Sequence, residues 1–100
     1  ELERAEALYR KALSINPTHP LAHYNLGLLY RRMGKTEEYV RQIVMANRAD
    51  PEFVPANLAM AKLLIERGSY EKAREHIKRV WRIDPQHPGA RQLMGMLPEK

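Results

Sequence analysis

The sequence predicts an all-α fold in which antiparallel helix pairs stack side by side as an α-solenoid. The main observation is a fixed period, because Pro17, Pro51 and Pro85 are spaced by 34 residues and Gly34 recurs as Gly68. Between these positions apolar residues recur at helical spacing, and no stretch alternates as a strand would. Repeats of this length are helix pairs, and each pair buries its apolar face only against its neighbours.

Residues that stop or start a helix define the first two helices. The first helix covers residues 1–15 and ends before Pro17, because proline lacks the amide that a continuing helix needs. The second begins at Pro20, where a missing donor costs nothing, and runs to about Met33. Gly34 then suits the left-handed residue that ends many helices.

The same cycle predicts the remaining helices. Thr36 is predicted as the N-cap of the third helix, with two glutamates near the positive end of the helix dipole. The fourth helix covers about 55–67, and the fifth covers about 70–82 after an N-cap at Ser69. A last helix begins at Pro88.

The period divides the chain into a half repeat, two full repeats and a partial one. These segments are residues 1–17, 20–53, 54–87 and 88–97. Arrays of this kind usually need at least about three repeats for stability. We therefore expect the chain to be part of a longer protein.

Composition limits the function without naming it. The chain has 17 basic and 12 acidic residues, and the net charge of +5 favours acidic partners. No apolar run approaches the roughly 18 residues of a membrane span. The absence of cysteine excludes disulfides and thiolate chemistry but leaves cytoplasm and periplasm equally open as compartments.

The middle unit resembles the tetratricopeptide repeat (TPR) family. It carries the family's Leu-Gly and tyrosine of the first helix, helix A, as Leu26, Gly27 and Tyr30. The alanine and closing proline of the second helix, helix B, are Ala46 and Pro51. The resemblance covers essentially the whole chain. It implies a right-handed superhelix whose concave surface, lined by the A helices, binds an extended peptide or a helix of a partner protein.

Two positions depart from the family pattern. The large aromatic residue at the start of helix A is replaced by His23, Asn57 and Arg91. The small residue expected early in helix B of the middle unit is Tyr39. A small residue there lets the two helices approach closely, so Tyr39 is expected to widen the crossing or to turn its ring aside.

The candidate binding residues lie on the face of helix A opposite its packing stripe. Tyr24 and Leu28 place two apolar side chains on that face, where packing does not explain them. The predicted binding set is Tyr24, Asn25, Leu28, Arg31, Arg32, Leu58, Lys62, Ile65, Gln92 and Met96. The strip is expected to be apolar in its middle and basic along one margin, which suits an apolar segment that carries acid. Coverage of part of the strip by a neighbouring repeat is the alternative.

Asn25 has a separate interpretation. Some TPR domains hold a terminal carboxylate with lysine, arginine and asparagine, and Asn25 matches the middle asparagine of that arrangement. The positions that would supply lysine and arginine are Pro55 and Ala59, so this clamp is not predicted. Asn25 is instead expected to contact the main chain of a bound peptide, because an amide can both donate and accept hydrogen bonds.

No pattern for catalysis, a cofactor or a metal emerges. The sequence has no nucleophile with a matching base, no phosphate loop and no paired carboxylates in an apolar context. His19 and His23 are spaced by four residues, but no third ligand follows, so they are expected to be exposed loop histidines. His76 and His87 lack partners for a metal site. Trp81 is expected in the core.

The fifth helix is strongly basic. Its basic residues are Lys72, Arg74, Lys78, Arg79 and Arg82. Glu71 and Glu75 precede several of them by three or four residues, so we expect internal ion pairs on a solvated face. Nucleic-acid binding would use exposed aromatic residues beside the basic ones, and only Trp81 is available. The sequence therefore favours protein partners over nucleic acid.

The sequence thus predicts a non-catalytic protein-interaction module that binds a partner segment in its concave groove. The alternative is an architectural role, either in homo-oligomers or beside a catalytic or membrane domain outside this chain. Exposed apolar ends at Leu2 and Leu8, and at Met94 and Leu97, would favour self-association.

Overall fold

The computed structural model describes residues 1–98, and within this range no residue lies in a strand. The helices in chain order are α1 (Leu2–Ile15), α2 (Pro20–Arg32), α3 (Thr36–Ala49), α4 (Val54–Glu66), α5 (Tyr70–Ile83) and α6 (Pro88–Gly95). They form two compact units, one covering Glu1–Phe53 and the other beginning at Val54. Within each unit, helices adjacent in sequence pack against each other as in a helical solenoid, which confirms the predicted class.

The turns inside the helix pairs are closed by left-handed glycines, as predicted. Gly34 has a φ of 78° and Gly68 a φ of 80°. After α2, the Lys35 N–H donates to the Tyr30 carbonyl at 2.9 Å, which closes a Schellman motif. Lys35, whose N–H closes this turn, is also the N-cap of α3. The prediction of Thr36 as N-cap is therefore wrong, since Thr36 is already the first residue of α3.

Two other helix starts also differ in detail from the prediction. Helix α4 begins at Val54, one residue before the predicted Pro55, because proline fits anywhere in a first turn where its missing donor is unused. Ser69 is the N-cap of α5, but its side chain makes no capping hydrogen bond. Its N–H instead donates to the Leu64 carbonyl at 2.8 Å, which repeats the closure seen after α2.

Close contact between α2 and α3 depends on Gly27. A Cβ atom at Gly27 would lie 3.2 Å from Gln42 Cβ, 3.3 Å from Ile43 Cδ1 and 3.4 Å from the Tyr39 carbonyl oxygen. The two helices are therefore close at this point, and Tyr39 does not widen the crossing there. Its ring is buried, and the Arg31 guanidinium lies over it at 5.4 Å from the ring centroid.

A polar pair replaces the missing aromatic residue in each full repeat. His23 Nδ1 lies 2.8 Å from Gln42 Oε1, and His23 Nε2–H donates to the Pro17 carbonyl at 2.8 Å. The positions 34 residues later are Asn57 and His76, and His76 Nδ1–H donates to Asn57 Oδ1 at 2.8 Å. The histidine has thus moved from helix A to helix B while the hydrogen bond between the helices is kept. Burial is tolerated because the polar groups have partners.

The histidines have structural roles that the sequence pattern did not predict. His23 is only 5% exposed, so its prediction as an exposed loop residue is wrong. His19 is the N-cap of α2, where its Nδ1 accepts from the Ala22 N–H at 3.2 Å. His87 caps α6 in the same way, accepting from the Gly89 N–H at 3.0 Å. In both places the histidine precedes the proline that opens the helix.

The second unit has a continuous apolar core. Its buried residues are Ala61, Ala73, Ile77, Val80, Ala90 and Leu97. Trp81 is half-buried and packs against this cluster, and its indole N–H has no hydrogen-bond partner within residues 1–98. The prediction of an exposed Leu97 is wrong, since the residue is 8% exposed. Its N–H donates to the Met94 carbonyl at 3.1 Å, and this turn brings the side chain back onto the core.

The contact at Gly27 predicts a strong size limit at this position. Gly27→Leu should lower the free energy of unfolding by about 2 kcal/mol or more, because overpacking forces closely packed helices apart. Gly95→Leu is the matched control, since, apart from its chain neighbours and its own helix backbone, no atom of residues 1–98 lies within 4 Å of a Cβ atom built there. Urea unfolding followed by circular dichroism measures both variants. Equal stability of the two variants would contradict the close contact.

The pair of Asn57 and His76 predicts a pH dependence of stability. Burial lowers the pKa of His76 below its usual 6.5, and the positive charge of Arg79 lowers it further. The unfolded chain therefore takes up this proton first as the pH falls. The contribution of His76 is fully present above pH 6.5 and is lost as the pH decreases towards the folded pKa.

The test is His76→Gln, which introduces the residue found at the equivalent position 42. Urea unfolding between about pH 5 and pH 7.5, followed by the fluorescence of Trp81, should show a weaker pH dependence in the variant than in the parent chain. The other histidines are the same in both proteins and cancel in the comparison. Identical pH dependences would show that His76 does not change its proton affinity on folding.

Candidate functional site

A cleft of about 400 Å³ opens between α1 and α2 in the first unit. The residues that line it are Glu1, Leu2, Ala5, Tyr9, Asn25, Leu28, Leu29 and Arg32. One wall combines Glu1 with apolar residues and a tyrosine, and the other combines leucines with an amide and a guanidinium group. Such a mixture suits a segment that is mainly apolar and carries a few acceptors.

A hydrogen-bonded network joins the two helices that form the cleft. Glu6 Oε2 accepts from the Tyr30 hydroxyl at 3.0 Å and from Arg10 Nε at 3.0 Å. Arg10 Nη2 also donates to the Tyr30 hydroxyl oxygen at 2.6 Å. The hydrogen bond from Tyr30 is the main reason that the pKa of the Glu6 carboxyl is lowered, and burial is the main reason that the pKa of Tyr30 is raised. The network keeps Glu6 charged and ties the walls of the cleft together.

Three predicted binding residues meet at this cleft: Asn25, Leu28 and Arg32. Asn25 and Leu28 are half-buried and Arg32 is exposed. Within residues 1–98, the side chains of Asn25 and Arg32 take part in no hydrogen bond or ion pair. These two side chains therefore present unused donors beside an apolar surface.

The other two predicted residues of α2 have contacts within the unit. The ring of Tyr24 packs edge-on against Phe53, with ring centroids 5.9 Å apart and planes inclined at 82°. Arg31 is exposed, but its guanidinium group lies over the ring of Tyr39. These two side chains do not line the cleft.

In the second unit the predicted residues fall into two groups. Leu58 and Ile65 are half-buried and pack against the core cluster. Lys62, Gln92 and Met96 are exposed, and Met96 is the most accessible of the methionines in residues 1–98, at 53%. The first group therefore supports the core of this unit, whereas the second group is open to contact with a partner.

The α1 wall of the cleft was not predicted from the sequence. Ala5 and Tyr9 recur at helical spacing on the apolar stripe of α1 and are not in the predicted binding set. The repeat itself carries the signal, because the equivalent positions in α3 are Tyr39 and Ile43. Ile43 is fully buried, whereas Tyr9 is only half-buried. The lower burial of Tyr9 than of its equivalent Ile43 therefore shows that this part of the apolar stripe of α1 is accessible.

The acidic residues of α5 do not form the predicted ion pairs. Within residues 1–98, neither Glu71 nor Glu75 has a basic group within 4.0 Å, although the spacing allows it. At exposed sites such pairs gain little, because two long side chains must be ordered against solvent screening. The basic residues of α5 are thus left without acidic partners in this part of the chain.

Helix length and side-chain grouping bear on membrane and metal binding. None of the helices in residues 1–98 is both long and apolar enough to cross a membrane. The same residues contain no group of three or more histidine, aspartate or glutamate side chains placed to hold a metal ion.

Comparison with known proteins identifies the repeat. A TPR repeat model matches residues 1–34, and a second model, described as tetratricopeptide repeat, matches residues 42–97. The chain is 34% identical over 73 residues to the TPR repeat-containing thioredoxin TTL4 of Arabidopsis thaliana, a match that covers 73% of this chain and 11% of that protein. It is 26% identical over 77 residues to the small glutamine-rich tetratricopeptide repeat-containing protein 2 of Mycosarcoma maydis, which covers 77% of this chain and 22% of that protein.

The chain thus spans only 11% and 22% of the length of these two relatives. The family matches cover most of the chain, and the matched ranges include all or part of each of its six helices. The chain therefore belongs to the tetratricopeptide repeat family, whose repeats serve generally as protein-interaction modules.

Proposed function

We propose that this chain binds an apolar segment of a partner protein, carrying one or more acidic groups, on the helix A side of its repeats. The main support is the cleft between α1 and α2, where the unpaired Asn25 amide and Arg32 guanidinium stand beside Leu28. Apolar side chains of the segment would bury against Leu28 and Tyr9. A carboxylate or main-chain carbonyl would accept from Arg32 or Asn25, and hydrogen bonds to a charged group are the stronger kind.

The mechanism is capture by a preformed surface. Hydrogen bonds among Glu6, Arg10 and Tyr30 hold α1 against α2, so binding does not have to order the walls. A rigid receptor loses less conformational entropy on association, and more of the contact energy remains as affinity. In the second unit, taken by itself, the exposed members of the predicted set, Lys62, Gln92 and Met96, are proposed as further partner contacts.

The alternative proposal is an architectural role in which copies of the repeat pack against each other. It is supported by two exposed apolar side chains on α1, Leu8 at 61% and Ile15 at 77% exposure. In this alternative, helix A of a neighbouring repeat would cover the cleft. The reason is that Ala5 and Tyr9 are equivalent to Tyr39 and Ile43, and those two residues are covered by α2, the helix A of their repeat.

The test uses a peptide selected for binding to this chain from a random library displayed on phage. Its affinity is measured by fluorescence anisotropy for the parent chain and for Asn25→Ala/Arg32→Ala. We expect the double substitution to weaken binding about tenfold or more, because the acceptors on the peptide lose both donors. Neither side chain has a protein partner in residues 1–98, so the fold should be unaffected.

The matched control is Arg41→Ala/Arg48→Ala, which removes two exposed arginines from α3. It should change the affinity less than about twofold. An equal loss in the control, or a selection that yields no binding peptide, would contradict the groove proposal. Light scattering over a concentration series separates the alternative, because an architectural role predicts an oligomer that Leu8→Lys dissociates.

A further inference from the structure

The outward face of α5 carries a concentration of positive charge. Helix α5 packs through Ala73, Ile77 and Val80, each fully buried. At 100° per residue, four basic side chains project from the other side of the helix. We call these residues, Lys72, Lys78, Arg79 and Arg82, the α5 basic face. From first to last they extend about 15 Å along the helix axis.

Helix packing does not require basic residues at these positions. The helix at the same place in the preceding repeat is α3, and its residues equivalent to Lys72, Lys78 and Arg79 are Glu38, Val44 and Met45. Helix α3 has two acidic and two basic residues and is neutral, whereas α5 has five basic and two acidic residues and a net charge of +3. In α1 the residues equivalent to Lys72, Lys78 and Arg79 are also basic, namely Arg4, Arg10 and Lys11, and in α3 the residue equivalent to Arg82 is Arg48. The net charge is nevertheless highest in α5, since α1 has three basic and two acidic residues and a net charge of +1.

This charge is not neutralised within the part of the chain that the structure describes. Lys72, Lys78 and Arg82 are exposed, and among residues 1–98 no carboxylate oxygen lies within 4.0 Å of a charged nitrogen of the α5 basic face. Arg74, on the same helix, differs because its Nη2 donates to the Pro98 carbonyl at 3.5 Å.

We infer that the α5 basic face is a second binding surface, which takes an acidic segment of a partner protein. Charge complementarity is the basis, since an exposed basic face without internal partners attracts acidic segments and orients them. The surface is on helix B, and the inference does not depend on the cleft at α1 and α2.

A protein segment fits this surface better than nucleic acid does. Glu71 and Glu75 also project outward from α5, and they would repel a continuous phosphate backbone. A peptide can place neutral or basic residues opposite them. Proteins that bind single-stranded nucleic acid also stack bases on exposed aromatic rings. Trp81 is half-buried with its indole nitrogen inside, so it offers no such platform.

The test measures binding of a fluorescein-labelled oligo-glutamate peptide at low and at physiological salt. We expect Lys78→Gln/Arg79→Gln/Arg82→Gln to weaken binding by about tenfold, since each exposed charge pair contributes a fraction of this effect. Arg79 is half-buried, so the pair Lys78→Gln/Arg82→Gln is measured beside it, with circular dichroism to check folding. The pair should show most of the loss.

The matched control is Arg4→Gln/Lys11→Gln/Arg41→Gln, which removes the same charge from exposed positions of α1 and α3. It should change the affinity less than about twofold. An equal loss in this control would mean that net charge alone drives binding, and it would overturn the inference. The absence of binding at low salt would also overturn it.

Two further measurements fix the class of partner and the surface. An oligothymidylate of the same charge should bind more weakly than oligo-glutamate. If the oligothymidylate bound more tightly, and the α5 substitutions abolished that binding, the face would be assigned to nucleic acid and the inference would be overturned. Asn25→Ala/Arg32→Ala should leave oligo-glutamate binding unchanged. If only that variant weakened it, the peptide would be using the cleft, and the inference would fail while the groove proposal stood.

Discussion

The short distance between α2 and α3, the two helices of one repeat, determines how the side chains of the first unit pack. Gly27 lets the backbone of α2 approach Gln42 and Ile43 closely, and at this separation Ile43 and Ala46 are fully buried. In the second unit the equivalent position is Ala61, again small and fully buried. Because interiors are close-packed, one extra side chain here would disturb every contact along the helix pair. A small residue in this register is thus a geometric requirement of the repeat.

The same close packing explains why polar residues are accepted at the start of helix A. An aromatic ring would fill this space by its volume alone, whereas His23 and Asn57 must also satisfy buried polar atoms. Each does so with the residue 19 positions later, Gln42 or His76. These two hydrogen bonds each join the helices of one repeat, and His23 Nε2–H also donates to the Pro17 carbonyl of the preceding half repeat. The histidine of this pair lies on helix A in the first full repeat, as His23, and on helix B in the second, as His76.

Local signals in the sequence predicted the helices well, and contacts between distant residues account for what was missed. Gly34 and Gly68 act through their own backbone angles, so the turns followed from residue type alone. The burial of His23 depends on Gln42, and that of Leu97 on the cluster around Ile77. Nothing in the residue type reveals such partners. In the binding set, the sequence pattern correctly predicted that Asn25 and Arg32 share one face of α2. It did not predict the opposite wall of the cleft on α1, because the accessibility of Tyr9 depends on which residues cover it.

The charged residues of the first unit differ in whether they have a hydrogen-bond or ion-pair partner within the described residues. Glu6 and Arg10 meet each other and Tyr30, so their charges hold α1 against α2. Arg32, two residues beyond that tyrosine, has no such partner in the described residues. An unpaired guanidinium group beside apolar surface keeps its full capacity to donate to a carboxylate from outside. The groove proposal therefore requires a partner that combines an apolar contact with an acid or carbonyl group, because purely hydrophobic complementarity would leave both Arg32 and Asn25 unsatisfied.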